Sequence, residues 1–243
     1  MHINTRKFIS PNFSQREYEV DTIIIHSTHM SSISALKRLC DKESSVSSHY
    51  LIDLEGVVYQ LVSDDNIAWH AGVSYWAGRT HLNKYSLGIE LVDRFDDGKE
   101  ILEFPSKQIE SLIELLKSLI SIHKIKNHMI LAHSDIAPDR KDDPGEKFPW
   151  KTLAENNIGI FHSDIIETLE EFCIKYGDTC ERVLLVQKML KEYGYKISCN
   201  SVFDKEMNDV VKAFKMHFDQ RNINETFDQI SLAILKSISA QKY

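Results

Sequence analysis

The chain has 243 residues, of which 42% are hydrophobic and 27% are charged. This composition excludes a disordered chain and is typical of a folded globular protein, and the length favours one large domain or a large domain with a small one. Acidic residues outnumber basic ones by 36 to 29, and the resulting net charge of −7 argues against a nucleic-acid partner.

No targeting or membrane-spanning segment is indicated. The amino-terminal residues MHINTRKFISPNF lack the apolar core of about 7–15 residues that a secretory leader requires. The most apolar segment, residues 109–123, is interrupted by charged side chains, whereas a membrane span needs roughly 18 uninterrupted apolar residues. We therefore expect no transmembrane segment.

The first elements in chain order are a strand, a helix and a hairpin. Apolar, β-branched residues 20–26 predict a buried strand that ends on His26. A short helix is expected over residues 34–40. Residues 47–62 alternate around Glu55 and Gly56, a pattern typical of a β-hairpin.

Two further strands and a helix complete this part of the chain. Residues 85–93 predict a strand, and residues 107–123 predict an amphipathic helix preceded by Pro105. Residues 129–133 form a short apolar run that ends on His133. Mixed strands and helices with polar residues at the strand ends predict an α/β fold, a central mixed sheet flanked by helices, with a site at that edge.

From about residue 179 the pattern changes to helices only. Thr226 and Gln229 have the spacing of a capping box before the last helix. Three short helices of a small bundle are predicted, over residues 181–195, 203–218 and 230–238.

The boundary between the two parts is predicted at a linker. Gly177 and Asp178 interrupt the helical pattern within residues 175–179. We therefore expect a catalytic domain over residues 1–178 and a three-helix domain over residues 179–243.

Three residues have the character of a zinc site. A catalytic zinc ion is bound by about three His, Asp or Glu ligands and keeps one position open. His26 and His133 stand at strand ends, and one of the aspartates in the polar loop that follows, such as Asp143 before Pro144, would supply the third ligand. Lys141, two residues before Asp143, would share the pocket in an extended segment and could stabilise an oxyanion.

Glu90 is the candidate general base. Within the predicted strand, Leu87, Ile89 and Leu91 share one face, so Glu90 points the other way. A carboxylate among apolar residues is either ion-paired or functional, and one beside zinc can accept a proton from water. Taken singly, a histidine at a strand end is more often structural, and a buried ion pair explains Glu90 equally well; only the combination indicates catalysis.

Five sequence motifs resemble those of a known family. The segments IIIHST, SSHYLID, AWHAG, SLGIELVD and AHSDIAPDRKDDPG are similar to those of zinc-dependent N-acetylmuramoyl-L-alanine amidases related to peptidoglycan recognition proteins. The resemblance covers roughly residues 20–155. It implies one Zn²⁺ per chain, bound by His26, His133 and Asp143, with Glu90 and Lys141 as the catalytic residues.

The resemblance also implies a reaction and a substrate, peptidoglycan or a soluble muropeptide. The family hydrolyses the amide between the lactyl group of N-acetylmuramic acid, or of its 1,6-anhydro form, and L-alanine of the stem peptide. Trp69, His70 and Asn83 match segments that line the substrate groove, and Arg140 could pair with a stem-peptide carboxylate. These four are the expected substrate-binding residues.

The C-terminal part resembles three-helix peptidoglycan-binding modules, so it could either bind the wall or brace the catalytic domain. The lack of a leader predicts a cytoplasmic enzyme that recycles peptidoglycan. The two-domain layout resembles envelope amidases, so the periplasm is the alternative. The sequence leaves the oligomeric state open.

Two other functions compete with the amidase. One is a non-catalytic module that binds peptidoglycan without cleaving it, although the presence of Glu90 and Lys141 argues against this. The other is a zinc peptidase or deacetylase, but the chain contains no H-E-x-x-H motif.

Overall fold

A mixed six-stranded sheet forms the centre of the protein. The computed structural model describes residues 3–4, 8–162 and 171–242. Their strands are β1 (Ile3–Asn4), β2 (Phe13–Gln15), β3 (Thr22–Ser27), β4 (Tyr50–Ile52), β5 (Val58–Gln60), β6 (Asn66–Ala68), β7 (Tyr75–Trp76), β8 (Arg79–Thr80), β9 (Ser86–Leu91), β10 (Ile130–Ala132), β11 (Cys173–Lys175) and β12 (Thr226–Asp228). Their α-helices are α1 (Ser32–Cys40), α2 (Ser106–His123), α3 (His133–Ile136), α4 (Trp150–Glu155), α5 (Glu181–Tyr193), α6 (Lys205–Phe218) and α7 (Gln229–Ala240).

The central sheet has the strand order β1-β5-β4-β9-β3-β10. Strands β4, β9, β3 and β10 are parallel to one another, and β5 runs antiparallel to β4 in the predicted hairpin. Because the parallel strands β9, β3 and β10 are neighbours, their carboxyl ends meet at one edge. The predicted fold class, a mixed sheet flanked by helices, is confirmed.

Both faces of the sheet are covered by helices. On β3, Ile23 and Ile25 pack with the apolar face of α2, whereas Ile24 belongs to a second hydrophobic cluster. That second cluster also contains Leu131 of β10 and the buried side chains of α5, α6 and α7. The C-terminal helices therefore share a core with the sheet instead of forming a separate bundle core.

The three C-terminal helices are present, but two details differ from the predictions. The capping box at Thr226 is wrong, because Asp228 caps α7 by accepting a hydrogen bond from the Ser231 amide at 2.8 Å. Thr226 lies instead in β12, which pairs with β11, so this part is not purely helical. Since β11 ends at Lys175, the residues just before the predicted linker pack with the C-terminal part. The division at residue 178 stays a prediction.

No helix in the described part of the chain is both long and apolar enough to cross a bilayer.

Candidate metal centre

The predicted metal-binding and catalytic residues of the strands lie at the carboxyl edge of the parallel part of the sheet. His26 is the penultimate residue of β3, and Glu90 lies beside it in register on β9. His133 is the first residue of α3, immediately after β10. Three neighbouring parallel strands thus end at one edge of the sheet and hold these three side chains close together.

Three atoms converge at this edge as a candidate metal site. The Nδ1 atoms of His26 and His133 are 2.9 Å apart. The Oδ2 atom of Asp143 lies 3.2 Å from Nδ1 of His26 and 3.0 Å from Nδ1 of His133. All three residues are buried, and together they form a group that could hold a metal ion.

The donor set fits zinc. Tetrahedral zinc with bonds of about 2.0–2.1 Å holds its nitrogen and oxygen ligands about 3.3 Å apart. The observed separations of 2.9–3.2 Å lie close to that value. Two facing imidazole nitrogens at 2.9 Å cannot both carry a proton, so at least one presents a lone pair to the space between them.

The protonation states suit a cation as well. Burial, with a further contribution from His133, lowers the pKa of His26 to about 4. Burial alone would raise the pKa of Asp143, but hydrogen bonds with His133 and His26 hold it well below its ordinary value. A neutral imidazole and an ionised carboxylate are the forms that bind metals.

Outer hydrogen bonds orient both imidazoles. Nε2 of His133 faces the Ala71 carbonyl oxygen at 3.4 Å. Nε2 of His26 is 3.0 Å from Nδ1 of His70, whose Nε2 lies 3.3 Å from the Ser86 hydroxyl. If each Nε2 donates, both Nδ1 atoms of the ligands are left free for a metal, which is the usual purpose of such outer partners.

Glu90 and Lys141 lie in the same cavity as the three candidate ligands. The Oε2 atom of Glu90 is buried and has no hydrogen-bond partner among the described residues. Burial, together with Asp143, raises the pKa of this carboxyl to about 8, while Lys141 opposes the rise. An unpaired buried carboxyl facing a cavity is typical of a group that exchanges protons.

The sequence profile of one family, the N-acetylmuramoyl-L-alanine amidases, matches residues 16–146, which is more than half of the chain. The chain belongs to this family. The curated amidase AmiD of Escherichia coli is 35% identical over 235 residues, covering 92% of this chain and 83% of AmiD.

Similarity to solved structures agrees with this assignment. A complex of E. coli AmiD with the substrate anhydro-N-acetylmuramic acid-L-Ala-D-γ-Glu-L-Lys superimposes with a TM-score of 0.76 at 31% identity, covering 96% of this chain and 98% of AmiD. AmpDh3 of Pseudomonas aeruginosa gives a TM-score of 0.75 at 29% identity, with 94% and 95% covered. Both similarities span the catalytic part and the C-terminal helices.

Of the four predicted substrate-binding residues, two line the cavity that contains Glu90 and Lys141. This cavity has a volume of about 330 Å³ and includes Trp69 and His70 in its wall. The Trp69 indole is anchored by a hydrogen bond from Nε1 to the Ser14 hydroxyl. Because His70 is also hydrogen-bonded to His26, it orients this candidate metal ligand in addition to any contact with the substrate.

Asn83 and Arg140 are placed differently, with their polar groups bonded to the main chain. The Asn83 side-chain oxygen accepts hydrogen bonds from the amides of His70 and Ala71. The Arg140 guanidinium donates to the carbonyl oxygens of Ala71 and Val73. Both residues shape the loop that carries His70. A substrate contact by either one stays a prediction, and this geometry argues against it.

The sequence reasoning missed several residues of the site. Ser86 carried a signal, since it begins the strand that contains Glu90, but its link to His70 depends on folding. Other cavity-lining residues lie just before α1, within it or in the loop after it. Ser47 belongs to the SSHYLID motif, whereas Met30, Ala35, Arg38, Leu39 and Val46 lie outside the five motifs.

Proposed function

We propose that this chain is a zinc-dependent N-acetylmuramoyl-L-alanine amidase that binds one Zn²⁺ through His26, His133 and Asp143. The observation that carries the proposal is the convergence of Nδ1, Nδ1 and Oδ2 within 2.9–3.2 Å, in a cavity that also contains Glu90 and Lys141. Hydrolysis of an amide requires an activated water, a proton acceptor and a positive charge near the carbonyl oxygen, and a metal-binding triad with an adjacent base and cation can provide all three.

When bound, zinc would polarise the scissile carbonyl, acidify water and favour the ionised form of nearby Glu90. Glu90 then accepts a proton from the attacking water at its unpaired Oε2 atom. The same carboxyl returns this proton to the nitrogen of L-alanine as the amide bond breaks, which leaves a lactyl carboxylate and a free amine. Burial raises the pKa of this carboxyl to about 8, and the charge of a bound zinc ion would lower it again, towards neutral pH, where one group can both take and give a proton.

Lys141 stabilises the negative charge on the carbonyl oxygen. Its side chain lines the cavity beside Asp143 and is close enough to Glu90 to lower the pKa of that carboxyl. A fixed ammonium at the developing oxyanion contributes more in the transition state than in the ground state. Trp69, fixed by Ser14, offers an apolar wall for the sugar or the stem peptide.

We assign muramyl peptides as the substrate, in the 1,6-anhydro form or in intact peptidoglycan. AmiD was solved with an anhydro-muramyl tripeptide, and the similarity to AmiD spans the whole catalytic part. The compartment stays a prediction, and fractionation of the source cells distinguishes a recycling enzyme in the cytoplasm from an envelope enzyme.

The decisive experiment is hydrolysis of anhydro-muramyl tripeptide with product identification by mass spectrometry. We expect cleavage between the lactyl group and L-alanine, loss of activity with a chelator, and its return with added zinc. Glu90→Gln should abolish turnover and leave zinc bound at wild-type stoichiometry. Glu110→Gln, on the exposed face of α2, is the matched control and should be fully active.

Three outcomes separate the alternatives. Binding of the tripeptide without any product would establish the non-catalytic recognition module. Cleavage of a different bond would indicate another class of zinc hydrolase. Turnover by Glu90→Gln at the wild-type rate would remove Glu90 as the proton acceptor while leaving the metal site intact.

A further inference from the structure

A buried polar cluster joins the C-terminal helices to α3. It consists of Asp135 on α3, Tyr195 just after α5 and His217 on α6. The Tyr195 hydroxyl donates to Oδ1 of Asp135 at 2.6 Å, and Nδ1 of His217 lies 2.7 Å from Oδ2. None of the three is more than 2% exposed. The two bonds connect residues 60 and 82 positions apart, so only the folded chain contains them.

The same carboxylate also holds the chain at a metal ligand. Oδ2 of Asp135 accepts a hydrogen bond from the amide of Ala132 at 2.8 Å, and Ala132 is the residue immediately before His133. Asp135 itself follows His133 by two residues, within the single turn of α3. One carboxylate therefore fixes the main chain on both sides of this ligand.

The His217 ring supplies a hydrogen bond in addition to its shape. It stacks on Trp150 with a centroid distance of 3.7 Å, a place that an ordinary aromatic residue could fill. Its Nε2 atom, however, is buried without a hydrogen-bond partner in the described structure, which is costly for a polar atom. The bond from Nδ1 to Asp135 is the feature that a purely apolar ring could not provide.

We propose that Tyr195 and His217 are positioning residues through which the C-terminal helices hold α3, and thereby set the direction in which His133 presents Nδ1 to the metal. The inference rests on the proposed function, because it takes His133 as a metal ligand. It assigns the C-terminal part a role in building the metal centre, independent of any binding to the cell wall.

Two pairs of variants test this role in the full chain. His217→Phe keeps a stacking ring and removes the donor, whereas His217→Asn gives up the stack but places an amide N–H near the position of Nδ1. Tyr195→Phe removes only the hydroxyl. Tyr193→Phe makes the same change in a tyrosine of the same hydrophobic cluster whose hydroxyl does not donate to Asp135.

The readout is the zinc dissociation constant, measured by competition with a chromophoric chelator on variants that are folded by near-ultraviolet circular dichroism. Loss of a group bonded directly to a metal ligand weakens affinity by about 10–100-fold; Tyr195 and His217 act one step further out, through Asp135, so the low end of that range applies. We expect a loss of about tenfold or more in Tyr195→Phe and His217→Phe, a smaller loss in His217→Asn, and less than a twofold change in Tyr193→Phe.

The order of the two His217 variants separates positioning from packing. If the ring only fills space, His217→Phe will bind zinc better than His217→Asn, and the inference is wrong. It is also overturned if Tyr195→Phe binds zinc within twofold of the wild type. A wild-type protein that binds no zinc would overturn the proposed function as well, whereas tight wild-type binding with unchanged variants refutes this inference alone.

Discussion

The contact between Gly88 and His70 supports a quantitative prediction about the orientation of His26. Gly88 lies in β9, and a Cβ atom built on it would stand 2.5 Å from Cγ and 2.7 Å from Nδ1 of His70. Carbon atoms in contact are about 3.5–4.0 Å apart, so Gly88→Ala must displace the ring by about 1 Å. The backbone at Gly88 is not in the left-handed region, and alanine is otherwise compatible with the strand.

A displacement of that size would break the hydrogen bonds around the ring. Nδ1 of His70 is 3.0 Å from His26, and Nε2 is 3.3 Å from Ser86. Two lost bonds cost about 0.5–1.5 kcal/mol each, and overpacking adds about 1–3 kcal/mol. Gly88→Ala should therefore lower the free energy of unfolding by about 2–6 kcal/mol, and zinc affinity by about 10–100-fold.

A double-mutant cycle isolates the clash. In a His70→Ala background the ring is gone, so Gly88→Ala should lower the free energy of unfolding by less than about 1 kcal/mol in urea titrations. The difference between the costs of Gly88→Ala in the two backgrounds is the coupling energy, and a large value is typical of residues in contact. Zinc affinity should then be equally weak with Gly or Ala at position 88. An equal cost of Gly88→Ala in both backgrounds would refute the steric argument.

Three further predictions concern catalysis, pH and the C-terminal contact. Lys141→Met should lower kcat about 10²–10³-fold with little change in KM, as expected for loss of an oxyanion partner; steady-state kinetics showing a change below threefold would contradict this role. Burial lowers the pKa of His49 to about 4, so neutral His49 favours the folded state; its contribution is complete above about pH 6.5 and is lost progressively as the pH falls from about 6.5 to 4. Between pH 7.5 and pH 5 the wild type should therefore lose about 2 kcal/mol of unfolding free energy through His49, and His49→Asn should not show this part of the loss. If urea titrations give the same pH dependence for His49→Asn and the wild type, His49 is not the source. At Gly194, φ is +147° and an added Cβ would stand 2.7 Å from Trp76, so Gly194→Ala should lower the free energy of unfolding by about 2–4 kcal/mol. Gly98 has φ +82° and open space around it, so Gly98→Ala should lower it by only about 1 kcal/mol. Equal losses for the two variants in thermal unfolding would rule out the clash with Trp76.

Local patterns were sufficient to predict the strands that build the metal centre. The strands before His26 and His133 are short apolar runs buried in the sheet, and such runs are visible in a sequence. The face of Glu90 followed from the two-residue period of the strand. The motif around Asp143 added the third ligand through family resemblance, since loop geometry cannot be read from periodicity.

Contacts between residues far apart in the chain could not be predicted from local patterns. Arg140 was predicted to pair with a stem-peptide carboxylate, which stays a prediction, and the folded chain also bonds its guanidinium to the carbonyl oxygens of Ala71 and Val73, 69 and 67 residues away. The cap of α7 was assigned to Thr226 by spacing, but the pairing of β12 with β11 occupies that residue. Such bonds depend on tertiary contacts and have no local signature.

The shared core on the second face of the sheet limits what a deletion can reveal. A chain cut at residue 178 would bare Ile24, Leu131 and Trp76, which belong to the cluster completed by the C-terminal helices, and contiguous bare apolar surface promotes aggregation. The inactivity of such a fragment would therefore not show whether the C-terminal helices bind the cell wall. Charge reversals on the solvent side of those helices, made in the intact chain, test wall binding directly.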